Sequence, residues 1–104
     1  MKISILLPYK ENFSPEYPGA VSLFVYETTR ISKFKKNITV FGNTKFSKIF
    51  NLKYINIKIK KELLNSQTKS YVNDFIKLEK RFNSSIIEVH NRPSYVHIIN
   101  SKIK

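Results

Sequence analysis

Cysteine is absent, so the chain holds neither a disulfide framework nor a thiolate metal site. Two histidines and seven acidic residues are little to build a metal cage from, and we expect no metal and no cofactor. With only two glycines, a Gly-x-Gly-x-x-Gly dinucleotide fingerprint is excluded. Long hydrophobic runs are missing too. The apolar stretch from Ile3 to Leu7 stops at Pro8, too short for a secretory leader or a membrane span. The expectation is a soluble cytoplasmic protein. No arginine-rich run, zinc-finger spacing or RNA-binding sheet signature occurs, so no specific nucleic acid is expected as a partner.

What is present is lysine. The formal charge is +12 in 104 residues, enough chain for one domain. Such a charge attracts nucleic acid, anionic lipid and phosphorylated ligands alike. The lysines are spread along the chain, with the tightest groups at Lys33–Lys36 and Lys58–Lys61. Isoleucine, asparagine and lysine share AT-rich codons, so the base composition of the gene accounts for all three without selection for a polyanion. The sequons at Asn12, Asn37 and Asn83 carry no weight without a secretory signal.

Strand and helix patterns alternate. Residues 2–8 read as a short strand whose nearly continuous apolar run suits a parallel sheet covered on both faces. Residues 9–19 form a long loop punctuated by Pro15, Pro18 and Gly19. Residues 20–35 predict a helix with Val21, Phe24, Val25, Thr28 and Ile31 as its buried stripe and Ser22 facing water. A second strand at 38–41 closes at Gly42-Asn43, and the spacing of Phe46, Ile49 and Phe50 predicts a short helix. A third strand, 54–59, alternates Ile55, Ile57 and Ile59 against Tyr54, Asn56 and Lys58, as at a half-wet sheet edge. Residues 66–82 predict a helix striped by Tyr71, Phe75, Leu78 and Phe82, capped by Asn65, Ser66 or Thr68. A largely buried fourth strand follows at Ile86–Val89. A last helix runs from Ser94 to Lys104 on Tyr95, Ile98, Ile99 and Ile103. This order predicts an α/β fold with a parallel sheet in strand order 3-2-1-4.

That strand order makes the first and fourth strands neighbours, with a switch point between their carboxyl ends. Ligands of open α/β sheets bind there. The 9–19 loop then faces His90, Asn91 and Arg92 across one crevice. A histidine there can donate, accept or carry charge near neutral pH. The alternative is a polar strand exit in which His90 or Asn91 caps the next helix.

Three stretches together resemble the family-4-type glycosyltransferases: Met1–Pro8 with the loop ending Pro18-Gly19-Ala20-Val21, Ile38–Asn43, and Ile86–Pro93. The resemblance implies a Rossmann-like three-layer domain, here the first half of the N-terminal, acceptor-side domain of a two-domain GT-B enzyme. The donor-binding C-terminal domain is not in these residues, and we expect the chain alone to be inactive. The implied activity is transfer of a sugar from a nucleotide-sugar donor, with retention, to a sugar or lipid-linked acceptor of the cell envelope. By the same resemblance His90 lies beside the transferred sugar as the catalytic residue. Gly19 and Ala20 lie near the donor phosphates, and Asn91 and Arg92 contact donor or acceptor. Glu88 stands where the family often has a further histidine. The basic balance suits peripheral association with the anionic inner face of the membrane. A stand-alone basic module for nucleic acid or anionic membrane is the alternative function.

Overall fold

The computed structural model describes residues 1–59 and 67–103. Four strands form one parallel sheet: β1 (Ile3–Leu6), β2 (Ile38–Gly42), β3 (Tyr54–Asn56) and β4 (Ile86–Val89). Their order is β3-β2-β1-β4, as the alternating pattern predicts. β1 lies between β2, with Ile3 opposite Ile38, and β4, with Ile3 opposite Ile86. β3 flanks β2, with Val40 opposite Tyr54. Three α-helices, α1 (Ala20–Arg30), α2 (Gln67–Phe82) and α3 (Pro93–Ile103), and a 3-10 turn at Lys35–Asn37 complete the described elements of an α/β, Rossmann-like three-layer fold.

The pleat divides the side chains of β1 and β2 between two cores. Leu6 and Phe41 point to α2 and α3, where they meet Tyr71, Val72, Phe75, Ile76, Tyr95 and Ile99. Ile5, Leu7, Ile38 and Val40 point the other way, to Val25 of α1 and to Phe13 of the loop. The two central strands are thus buried on both faces, which is why they read as continuous apolar runs. The α2 stripe falls near the predicted positions, with Tyr71 and Phe75 fully buried. Its capping candidates Asn65 and Ser66 lie outside the described residues, whereas Thr68 sits within the helix.

Four expectations are corrected. α1 ends at Arg30, because Ile31 closes it by donating its N–H to the Thr29 carbonyl. The helix is also rotated from the predicted stripe. Ser22, Val25 and Thr29 are buried, while Phe24 and Ile31 are 58% and 75% exposed. Second, residues 44–53 form no helix. Their partners lie elsewhere in the chain: Thr44 N–H donates to Asn56 Oδ1 (2.7 Å) and Phe50 N–H to the Phe13 carbonyl (3.3 Å). Phe50 stacks on Tyr26 at 4.1 Å between ring centres and meets Phe13 edge-on, so irregular chain covers the sheet where a helix was expected.

Third, Tyr54 is not on a wet face. Its ring stacks on Phe13 at 5.2 Å and its hydroxyl meets Thr44 Oγ1 at 2.7 Å. The β3 ladder also stops at Asn56, short of the predicted Ile59. Fourth, β4 is an edge strand, and Ile86 is 48% exposed. Nothing among the described residues covers it on the α1 side as α2 and α3 cover the other.

The buried tyrosines give the fold an alkaline limit. Burial pushes the Tyr54 hydroxyl from its ordinary 10.0 up to about 12, and that of Tyr71 further in the same direction. The unfolded chain loses these protons near pH 10 while the folded chain keeps them. Stability is therefore level below pH 10 and falls as the pH rises to about 12 and beyond. Urea unfolding across this range should show that slope. Tyr54→Phe should flatten its lower part, and an unchanged slope would place the alkaline sensitivity elsewhere.

Candidate functional site

At the carboxyl edge of the sheet, the chain leaves β1 at Leu7 and Pro8 and enters the long loop. Tyrosines hold this exit from the α2–α3 side. Tyr71 Oη donates to the Leu7 carbonyl at 2.7 Å, and Tyr9 N–H donates to Tyr95 Oη at 3.1 Å. Tyr9 packs on Tyr71 at 5.4 Å. Lys10 (φ 68°) and Tyr17 (φ 47°) turn the chain through left-handed backbone, which brings the loop back to α1.

Gly19 is the N-cap residue of α1 and has no side chain with which to cap. Glu11 supplies the cap from within the loop: its Oε1 accepts the Ser22 N–H at 3.0 Å. A carboxylate suits the positive end of a helix dipole. A Cβ on Gly19 would overlap that carboxylate, so the glycine makes room for Glu11. Ala20, the first residue of α1, is exposed. Ser22 Oγ is buried in this first turn with no hydrogen-bond partner among the described residues. The anion-binding end of α1 is thus held by an acid of the chain itself.

His90 follows β4 directly and stands on the α1 side of the sheet. Its Nε2 lies 2.7 Å from Glu88 Oε2, two residues back on the same face of the strand. The His90 side chain is 20% exposed and that of Glu88 52%. The Phe24 ring meets the imidazole edge-on at 6.1 Å, so the exposed face of α1 and the end of β4 share one surface. The carboxylate fixes the ring and selects which nitrogen is left for a ligand, the arrangement general acid–base chemistry uses. Asn91 adopts left-handed backbone at φ 54°, which asparagine tolerates. Arg92 turns its guanidinium back to the Asn91 carbonyl (2.6 Å), and its own carbonyl accepts the Tyr95 N–H at the start of α3.

The structure therefore brings His90 together with Glu88 and Phe24, and Gly19 together with Glu11. Asn91 and Arg92 shape the turn into α3. Glu11 carried no role in the sequence pattern, and Phe24 was assigned there to the buried stripe of α1. A glycine at an N-cap with no acid in the following turn was the available signal for a cap from elsewhere. Among the described residues no group of three histidines, cysteines or acids is placed to hold a metal ion. No described helix is long and apolar enough to cross a membrane. Comparison with protein-family models, curated proteins and solved structures returns no match.

The pairing of Gly19 with Glu11 has a measurable signature. Gly19→Ala should dislodge the carboxylate and cost about 1 kcal/mol, the size of a lost N-cap. Glu11→Ala should cost about the same. Adding Gly19→Ala to the Glu11→Ala chain should then cost close to nothing. Fully additive losses in denaturant unfolding would show that the glycine answers to something other than Glu11.

Proposed function

We propose that this chain is the first half of the acceptor-side domain of a retaining glycosyltransferase that uses a nucleotide-sugar donor. The observation that carries the reading is the Glu88–His90 pair, 2.7 Å apart at the exit of β4, the strand beside the β1 exit. The site lies where open α/β sheets take ligands, at the switch point between adjacent strands. In the reaction, the bond from the sugar's anomeric carbon to the donor phosphate breaks. The acceptor oxygen bonds that carbon on the same face, and the acceptor proton leaves with the phosphate. His90 would hold the transferred sugar or stabilise charge developing there, with Glu88 keeping its ring in place. Asn91 and Arg92 would line the same end of the site.

Gly19 and Ala20 enter this reading through Glu11. A donor phosphate can use the N-terminus of α1 only when the Glu11 carboxylate swings away, because two anions cannot share those N–H groups. The donor half of the site belongs, in this reading, to a second domain. The reading also carries a cytoplasmic location, where nucleotide-activated sugars are available.

The test is made on the full-length product of the gene, with a panel of nucleotide-sugars and an envelope extract as acceptor. Sugar transfer is expected from one donor. His90→Ala should lower kcat by about a hundredfold or more while leaving the melting temperature in place. Glu88→Gln should lower kcat less. Transfer that survives His90→Ala at full rate would remove the histidine from the chemistry, and no transfer from any donor would remove the reading.

A further inference from the structure

The lysines that look scattered in the sequence are gathered by the fold. Every strand of a parallel sheet starts at one edge, and α1, α2 and α3 each run back to it. Lys2 stands before β1, Lys35 and Lys36 before β2, and Lys53 before β3. The last turns of all three helices add Arg30, Lys80, Arg81 and Lys102. Carboxylates are scarce here among the described residues. Glu27 is engaged by Arg30 at 2.8 Å, and Glu79 is buried against Ser4 and Ser84. Glu11 and Glu88, by contrast, stand at the opposite, carboxyl edge.

Cations at helix C-termini complement the helix dipoles, and that alone would explain a basic rim. It does not explain the apolar side chains among them. Ile31, just past the end of α1, is 75% exposed, Met1 59% and Phe34 40%. They lie around one short turn: Asn37 Nδ2 donates to the Met1 carbonyl at 2.7 Å, and Asn37 N–H to the Phe34 carbonyl at 2.8 Å. Lys33 Nζ sits 5.2 Å from the centre of the Phe34 ring, and Lys53 Nζ donates to the Lys36 carbonyl at 2.6 Å. Exposed apolar side chains and lysines thus occupy the same short stretch of this edge.

We propose that this edge docks on an anionic lipid bilayer, with Ile31 and Phe34 entering the interface and Lys33, Lys35, Lys36 and Lys53 meeting headgroup phosphates. An exposed aliphatic side chain gains only where it leaves water for hydrocarbon, which a nucleic-acid backbone does not offer. The one arginine in this turn region, Arg30, is committed to Glu27, whereas phosphate recognition on nucleic acid favours free, forked arginines. The proposal stands apart from the sugar-transfer reading and is tested without any donor.

Cosedimentation of the 104-residue chain with phosphatidylcholine vesicles, with and without phosphatidylglycerol, decides it. Binding is expected only with phosphatidylglycerol and should weaken as salt rises. The pair Lys33→Gln and Lys36→Gln should weaken it about 25-fold, at roughly fivefold per lysine. The pair Ile31→Ser and Phe34→Ser should weaken it about tenfold or more without lowering the melting temperature, since both side chains are exposed. Lys45→Gln, beside the Tyr17–Phe46 pair, should leave it unchanged. Absence of binding, equal binding to neutral vesicles, or full binding by the Ile31→Ser/Phe34→Ser chain would each overturn the proposal. So would an RNA oligonucleotide that displaces the vesicles and binds that variant as well as the parent.

Discussion

The fold turns on a buried carboxylate. Glu79, in the last turns of α2, is 4% exposed and lies against the central strand. Its Oε1 accepts the Ser4 hydroxyl at 2.8 Å and its Oε2 the Ser84 N–H at 2.6 Å, while the two serine hydroxyls meet at 2.5 Å. A carboxylate removed from water is tolerable only when its oxygens are satisfied, and these contacts do that. They also tie three elements together: β1 through Ser4, α2 through Glu79 and the approach to β4 through Ser84. Ser85 N–H then donates to the Lys2 carbonyl at 2.8 Å, and β4 enters in register with β1. A slip of β4 by one residue would carry Ser84 away and leave Glu79 Oε2 buried without its N–H donor. The position of β4, and so of His90, follows from this cluster.

Once β4 is fixed at the edge, the two faces of the sheet differ. On one face, α2 and α3 cover Leu6, Phe41, Ile87 and Val89. On the other, α1 and the aromatic chain of Phe13, Phe50 and Tyr54 cover β1 and β2. Ile86 and Glu88 on that face remain largely open. That opening gives the Glu88–His90 pair its access to solvent and sets it against the exposed Phe24. Incomplete cover beside an edge strand is thus what turns a polar strand exit into a candidate site.

Much of the fold was legible in the sequence, because its strongest signals are those that burial imposes directly. The runs of β1 and β2 and the Tyr71–Phe75 spacing of α2 follow from which faces meet water. What was not legible depends on partners distant in sequence. Nothing in α1 shows that Glu11 holds its first turn, or that Ser22 rather than Phe24 faces the sheet. Hydropathy ranks Phe24 above Ser22, yet Ser22 is buried and Phe24 is 58% exposed. The segment 44–53 carries helical spacing, but Asn56 and Phe13 offer its backbone better partners than its own carbonyls. Of the candidate site, the pairing of β1 with β4 was foreseen. Glu88 was read only as a departure from a family pattern, and its partnership with His90 came from the two-residue repeat of the strand. The lysine edge follows from the parallel topology the sequence predicts, which returns Lys2, Lys36 and Lys53 to one place, but along the chain the same lysines are only scattered.

The two ends of this molecule constrain each other. Strands of four residues at about 3.3 Å per residue, with their flanking turns, separate the lysine edge from His90 by on the order of 15–20 Å. The carboxyl edge faces away from any bilayer on which the lysine edge rests. A short lipid-linked acceptor, with its reactive hydroxyl close to the headgroups, would not reach His90 in that orientation. Docking by Ile31 and Phe34 and sugar transfer at His90 are compatible only for an acceptor that is soluble, or long enough to extend past the full height of the sheet. An acceptor held at the headgroups would require the domain to lie on its side, and Ile31 and Phe34 would then leave the interface. The two proposals thus select the acceptor between them, through the parallel topology that opposes the strand exits to the helix ends.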